Sequence, residues 1–109
     1  MATRELGLGI IAAPAASAHQ IARVIVEKKL AACAQVTQPV ASVYWWQGRL
    51  EQADEVLIFL KTRKALIPSI QAILKSVHPY EVPELTFLPI TGGGEAYLTW
   101  LASALDVQS

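Results

Sequence analysis

The spacing of apolar positions changes period several times along the chain, and each change marks an element boundary. Leu6, Leu8 and Ile10 alternate with Gly7, Gly9 and Ile11, the period of two of a strand. The glycines on one side leave room for a close neighbour, and Ala12-Ala13-Pro14 ends the run. Ile21, Val24 and Ile25 then recur at helical spacing, which predicts a helix over residues 18–30. Ser17 is its expected N-cap, and Glu27, Lys28 and Lys29 face outward. A second strand is predicted over residues 31–36, interrupted at Thr37-Gln38-Pro39 and resumed over residues 40–46. Proline brings no ladder donor, so this is an edge strand or a bulge.

Residues 43–62 organise the rest. Val43-Tyr44-Trp45-Trp46 leads into Gln47-Gly48, and an apolar arm follows. A two-residue loop ending in glycine favours a tight hairpin, because glycine accepts the positive φ that the turn demands. A continuous strand from Arg49 to Thr62 would reach roughly 45 Å at about 3.3 Å per residue, too long for a domain with a radius of gyration of about 13 Å, so the hairpin bends or projects. Val56 to Leu60 is apolar on both alternating faces and reads as a central strand. At the tip, Tyr44 and Trp46 face one way and Val43 and Trp45 the other, and another subunit is the simplest cover for so much apolar surface.

Leu66, Ile70, Ile73, Leu74 and Val77 mark a second helix, with Pro68 tolerable only in its first turn. The prolines of His78-Pro79-Tyr80-Glu81-Val82-Pro83-Glu84 impose an extended connection. Leu85-Thr86-Phe87-Leu88 reads as the last strand, closed by Pro89. After the glycines at 92–94, Tyr97, Trp100, Leu101, Ala104 and Leu105 mark an amphipathic C-terminal helix. The order βαββαβ plus a helix predicts an α+β ferredoxin-like sandwich over residues 1–109 as a single domain, both main helices on one sheet face because crossovers are right-handed. The other face is left apolar and only partly covered, which implies an oligomer.

Composition sharpens this picture in three ways. Apolar residues are 53% of the 109 and charged ones 17%, rich for so small a domain and consistent with surface buried in an assembly. Nine basic residues balance nine acidic ones, so the basic footprint of a nucleic-acid or anionic-membrane partner is missing. A single cysteine, Cys33, excludes an intrachain disulfide and any CxxC pair. A reducing, cytoplasmic location fits. Arg4 and the apolar run after it mimic a signal peptide, but Glu5, Gly7, Gly9 and the alternation favour a strand.

Candidate chemistry is sparse. His78, before proline at a helix end, is a cap or packing residue by residue type, and a metal ligand only if other donors converge. His19 lies in the first helical turn and reads as exposed, and Cys33 as a small buried hydrophobe. Lys61, Glu81 and Glu84 form either a charged cluster at the edge of an apolar cleft or solvated surface charge. Tyr44, Trp45 and Trp46 read as interface or core rather than as a ligand cage. The three glycines lack a Walker lysine and read as a turn. An enzyme using His78 as acid or base with Glu84 orienting it has neither a nucleophile nor a cofactor motif in support.

Lys29-Leu30-Ala31-Ala32-Cys33, Val43-Tyr44, Trp46-Gln47-Gly48-Arg49-Leu50-Glu51, Leu60-Lys61-Thr62, His78-Pro79-Tyr80, Pro83-Glu84-Leu85 and Tyr97-Leu98-Thr99-Trp100-Leu101 together resemble the CutA family of divalent-cation tolerance proteins. The resemblance implies a homotrimer similar in architecture to PII signalling proteins, with the hairpin reaching between subunits. It also implies a role in tolerance to copper and other divalent cations, and with no nucleophile or cofactor motif in the chain the expected role is binding rather than catalysis. Bacterial members often carry a first-strand cysteine and a His-His pair; this chain has Ile11 and Val77-His78 there. The resemblance thus leaves His78 as the metal-ligand candidate for Cu²⁺, completed by Glu84 or a neighbouring subunit. Lys61, Tyr80 and Glu84 are left as ligand-binding candidates and Tyr44, Trp45 and Trp46 as interface. A PII-like metabolite or nucleotide sensor, or a scaffold without metal, is the alternative.

Overall fold

The computed structural model describes residues 5–106; Arg4, the charge of the signal-like start, lies outside them. Strand β1 (Leu6–Ala13) leads to helix α1 (Ala15–Glu27), then β2 (Cys33–Val36), β3 (Val40–Trp46) and β4 (Arg49–Arg63). Helix α2 (Ile67–Val77), β5 (Thr86–Pro89) and helix α3 (Glu95–Asp106) complete the chain. All pairings are antiparallel, in the order β2-β4-β1-β5, with β3 on the outer half of β4. The result is a mixed α+β fold with one antiparallel sheet and three helices.

Strand β4 is the spine. Its inner residues pair with β1 on one side and β2 on the other, and its outer residues, Arg49 to Glu55, pair only with β3. Fifteen extended residues would reach about 50 Å if straight. The longest dimension of the molecule is 44 Å, so the strand both curves and carries the arm beyond the body. The tip is a two-residue turn with Gln47 at φ 52° and Gly48 at φ 79°, positive at both positions as a type I′ turn requires.

Between β2 and β3 the register against β4 slips by one residue. Val36 faces Ile58, whereas Val40 faces Glu55. One extra residue therefore sits around Pro39, the bulge that the missing proline donor made necessary. Thr37 closes the gap: its N–H donates to the Leu57 carbonyl at 2.9 Å, and its Oγ1 accepts the Leu57 N–H at 2.9 Å.

The core lies on one face of the sheet. Ile11, Ala13, Val56, Ile58 and Leu60 pack under Ile21 and Ile25 of α1 and Ile70 and Leu74 of α2. The glycine side of β1 admits a close neighbour as expected, for a Cβ at Gly7 would fall inside the Phe87 ring. On the opposite face Leu57, Phe59 and Lys61 are half-buried, and α3 covers part of it with Leu101, Ala102 and Leu105. Arg63 anchors that helix through Asp106 at 2.5 Å.

Several expected boundaries move, each for a local reason. Ser17 does not cap α1. Pro14 does, in extended conformation, its carbonyl accepting from the N–H groups of Ser17 and Ala18, and no side chain assists. The helix therefore starts earlier, on Ala15 and Ala16, and it also stops earlier than residue 30. Lys29 takes a left-handed conformation at φ 60°, Leu30 N–H bonds to Ile25 and Lys29 N–H to Val26, which is the Schellman closure usually built on glycine. Pro89 belongs to β5 rather than closing it, because on an edge strand its missing donor disturbs no ladder bond. In α3 the expected apolar stripe is incomplete: Tyr97 and Trp100 are exposed, and Ala102 is buried in their stead.

Candidate functional site

The segment 78–84 returns along the root of the projecting arm and encloses a cleft of about 690 Å³. Cross-strand partners share a sheet face, so Ser42, Tyr44 and Trp46 of β3 look the same way as Ala53 and Glu55 of β4. Tyr44, Trp46, Glu55, Tyr80, Glu81 and Glu84 are the aromatic and acidic members of the lining. Among the described residues, no lysine, arginine or histidine shares it.

Proline geometry builds the floor. Helix α2 ends as His78 N–H bonds to the Leu74 carbonyl, and His78 is extended, φ −91° and ψ 135°, as a residue preceding proline must be. That turns its ring inward. His78 is 7% exposed, with Nε2 2.8 Å from the Ala12 carbonyl and Nδ1 3.1 Å from the Tyr80 N–H. Since Nδ1 accepts, Nε2 carries the proton and donates to Ala12. The neutral ring is thus a tie between the first strand and the loop, and it offers an ion no free lone pair.

Tyr80 stacks tilted on His78, ring centroids 4.7 Å apart, and donates its hydroxyl to Glu55 Oε2 at 2.8 Å. Partial burial, the bond to Glu55 and the charge of that carboxylate push the Tyr80 phenol up to about 12. Glu55 is only 7% exposed. Tyr80 holds one of its oxygens, and the other finds no partner among the described residues and borders the cleft it lines. Sequence reasoning passed over Glu55. The signal was an acid continuing the alternate positions of Leu57 and Phe59 on one strand face, with no basic residue at its cross-strand position, which is Val40.

The expected site residues separate into groups. Tyr80 and Glu84 share the cleft, and His78 lies behind its wall. Glu84 does not orient His78; its Oε2 lies 3.5 Å from Thr86 Oγ1. Lys61 is elsewhere, paired with Leu8 four residues, about 13 Å, along β1 from Ala12. Its ammonium reaches Gln35 at 3.1 Å and sits 5.9 Å from the Tyr97 ring centroid. Cys33, half-buried rather than buried, places its sulfur 3.8 Å from the Tyr97 hydroxyl. His19 is exposed as expected. Trp45 points away from the cleft and is 73% exposed beside Leu50, while Tyr44 and Trp46 form cleft walls. Among the described residues no three His, Cys, Asp or Glu side chains converge to hold a metal ion. No helix among those residues is long and apolar enough to cross a membrane.

Comparison with known proteins bears directly on this arrangement. The chain is 43% identical over 90 residues to the divalent-cation tolerance protein CutA of Escherichia coli, covering 83% of this chain and 80% of that one. It is 44% identical over 89 residues to human Protein CutA, covering 82% of this chain and 50% of the other. The chain thus spans about half the length of the curated mammalian relatives it matches. The solved structure of the divalent cation tolerance protein (Cut A1) from Thermus thermophilus superposes with a TM-score of 0.84 at 37% identity, over 88% of this chain and 94% of that one. With the family model for the CutA1 divalent ion tolerance protein matching residues 8–104, from the first strand to the last helix, the chain belongs to the CutA1 family.

Proposed function

We propose that this chain works as a homotrimeric binding module, a ferredoxin-like protomer whose acidic cleft takes up a divalent cation, and that it is not an enzyme. The observation that carries the reading is the cleft itself: three carboxylates, Glu55, Glu81 and Glu84, face a space that no basic side chain among the described residues lines. Carboxylate oxygens suit divalent ions, and the tolerance named in the relatives points the same way. One chain supplies only part of a coordination set, so ligands from a neighbouring copy complete it. The exposed apolar arm, with Val43, Trp45 and Leu50 on one face, is what brings that copy close. His78 acts as a post that fixes the loop rather than as the ligand.

Titration of the metal-stripped protein with Cu²⁺ and Zn²⁺ tests this. Saturable uptake by wild type, weakened about tenfold or more in the Glu81→Gln, Glu84→Gln double variant, supports it. Uptake that the double variant leaves intact, or no saturable uptake at all, overturns it.

A further inference from the structure

A divalent ion would use the carboxylates of this cleft and leave its aromatic faces idle. Tyr44, Trp46 and Tyr80 all line it, around a space of about 690 Å³ that is far larger than a bare ion needs. At the base stands Glu55, more than nine-tenths buried, with one oxygen fixed by Tyr80 and the other bordering the space. Aromatic faces attract cations through the ring quadrupole, and the attraction is best realised by soft, weakly hydrated cations that lose little on leaving water. A buried carboxylate supplies the countercharge that such a guest requires.

We propose that the cleft is a binding site for alkylated ammonium compounds, seated against Tyr44, Trp46 and Tyr80 with the charge paired to Glu55. The Glu55–Tyr80 bond is part of the device. It orients the carboxylate before the guest arrives, so that little ordering is left to be done on binding. A space of about 690 Å³ has room for a small organic cation. The proposal shares the cleft and Glu55 with the divalent-cation reading and differs from it in resting on the aromatic residues.

The test is titration of the metal-stripped oligomer with tetramethylammonium chloride. Sodium chloride serves as the ionic control and tert-butanol as the neutral molecule of similar bulk. Intrinsic tryptophan fluorescence and calorimetry give the readouts, with thermal midpoint and particle mass recorded for every variant. A saturable response to tetramethylammonium alone is expected, weakened about tenfold or more in Glu55→Gln and in Trp46→Leu. The Glu81→Gln, Glu84→Gln double variant should weaken Cu²⁺ and Zn²⁺ uptake more than it weakens tetramethylammonium binding. Ammonium binding without metal uptake would defeat the divalent-cation reading and keep this one. Equal binding of tert-butanol, no saturable response in folded wild type, or full affinity in a folded Glu55→Gln protein would overturn the proposal.

Discussion

Two single residues state their physical role openly. Lys29 holds a left-handed conformation in the position that helix ends usually give to glycine. A side chain there costs about 1 kcal/mol, so Lys29→Gly should stabilise the fold by about that amount in denaturant unfolding. An unchanged or lower midpoint would show that the lysine stem contributes packing that offsets the strain. Tyr80 makes a pH prediction. Its folded pKa is raised from 10.0 to about 12, so the unfolded chain loses that proton first. Stability from this group is complete below pH 10 and disappears as pH rises toward 12. Because the ring is 37% exposed, solvent screening keeps the effect modest. Tyr80→Phe should flatten this alkaline loss, and a spectrophotometric phenol titration of the wild type should show one late-titrating tyrosine that the variant lacks. The acid at Glu55 stood out beside Leu57 and Phe59 on one strand face, but its bond to Tyr80 was not legible, since only the fold brings that ring to a carboxylate 25 residues away.

At the scale of elements the chain was readable wherever periodicity and turn chemistry agreed. Gln47-Gly48 between two apolar arms gave the hairpin, Pro39 the bulge, and Pro68 the first turn of α2. Misplaced boundaries came from backbone groups that a sequence does not display, such as the Pro14 carbonyl that caps α1 in place of Ser17. Of the two readings open for Lys61, Glu81 and Glu84, one chain on its own does not bring the lysine to the two acids. Antiparallel pairing sends Lys61 to Leu8, whereas the loop that carries the acids is tied to Ala12 through His78. Thr37 tests the bulge. Its hydroxyl satisfies the Leu57 N–H at the point where the ladder shifts register. Thr37→Val keeps the shape but strands that donor, so a loss of about 1–3 kcal/mol is expected. A loss no larger than for an exposed threonine would mean that water replaces the hydroxyl freely.

The molecule as a whole carries more apolar surface than one chain covers. Trp45, Leu50 and Val43 are 73%, 63% and 61% exposed on one face of the arm. Leu88 is exposed at the sheet edge, and Trp100 and Tyr97 on α3. A monomer rarely keeps so much in water, and the sequence already showed it as two tryptophans at the tip of a hairpin too long for its domain. The proposed uptake of a divalent ion by the acidic cleft at the root of that arm calls on the same association for its remaining ligands. Assembly is therefore the claim on which the rest depends, and sedimentation equilibrium of the wild-type chain across a wide concentration range tests it most directly. The expected result is a single trimer mass that persists on dilution and shifts toward smaller species in a Trp45→Glu, Leu50→Glu variant. A wild-type protein that stays monomeric and folded at all concentrations would contradict the account.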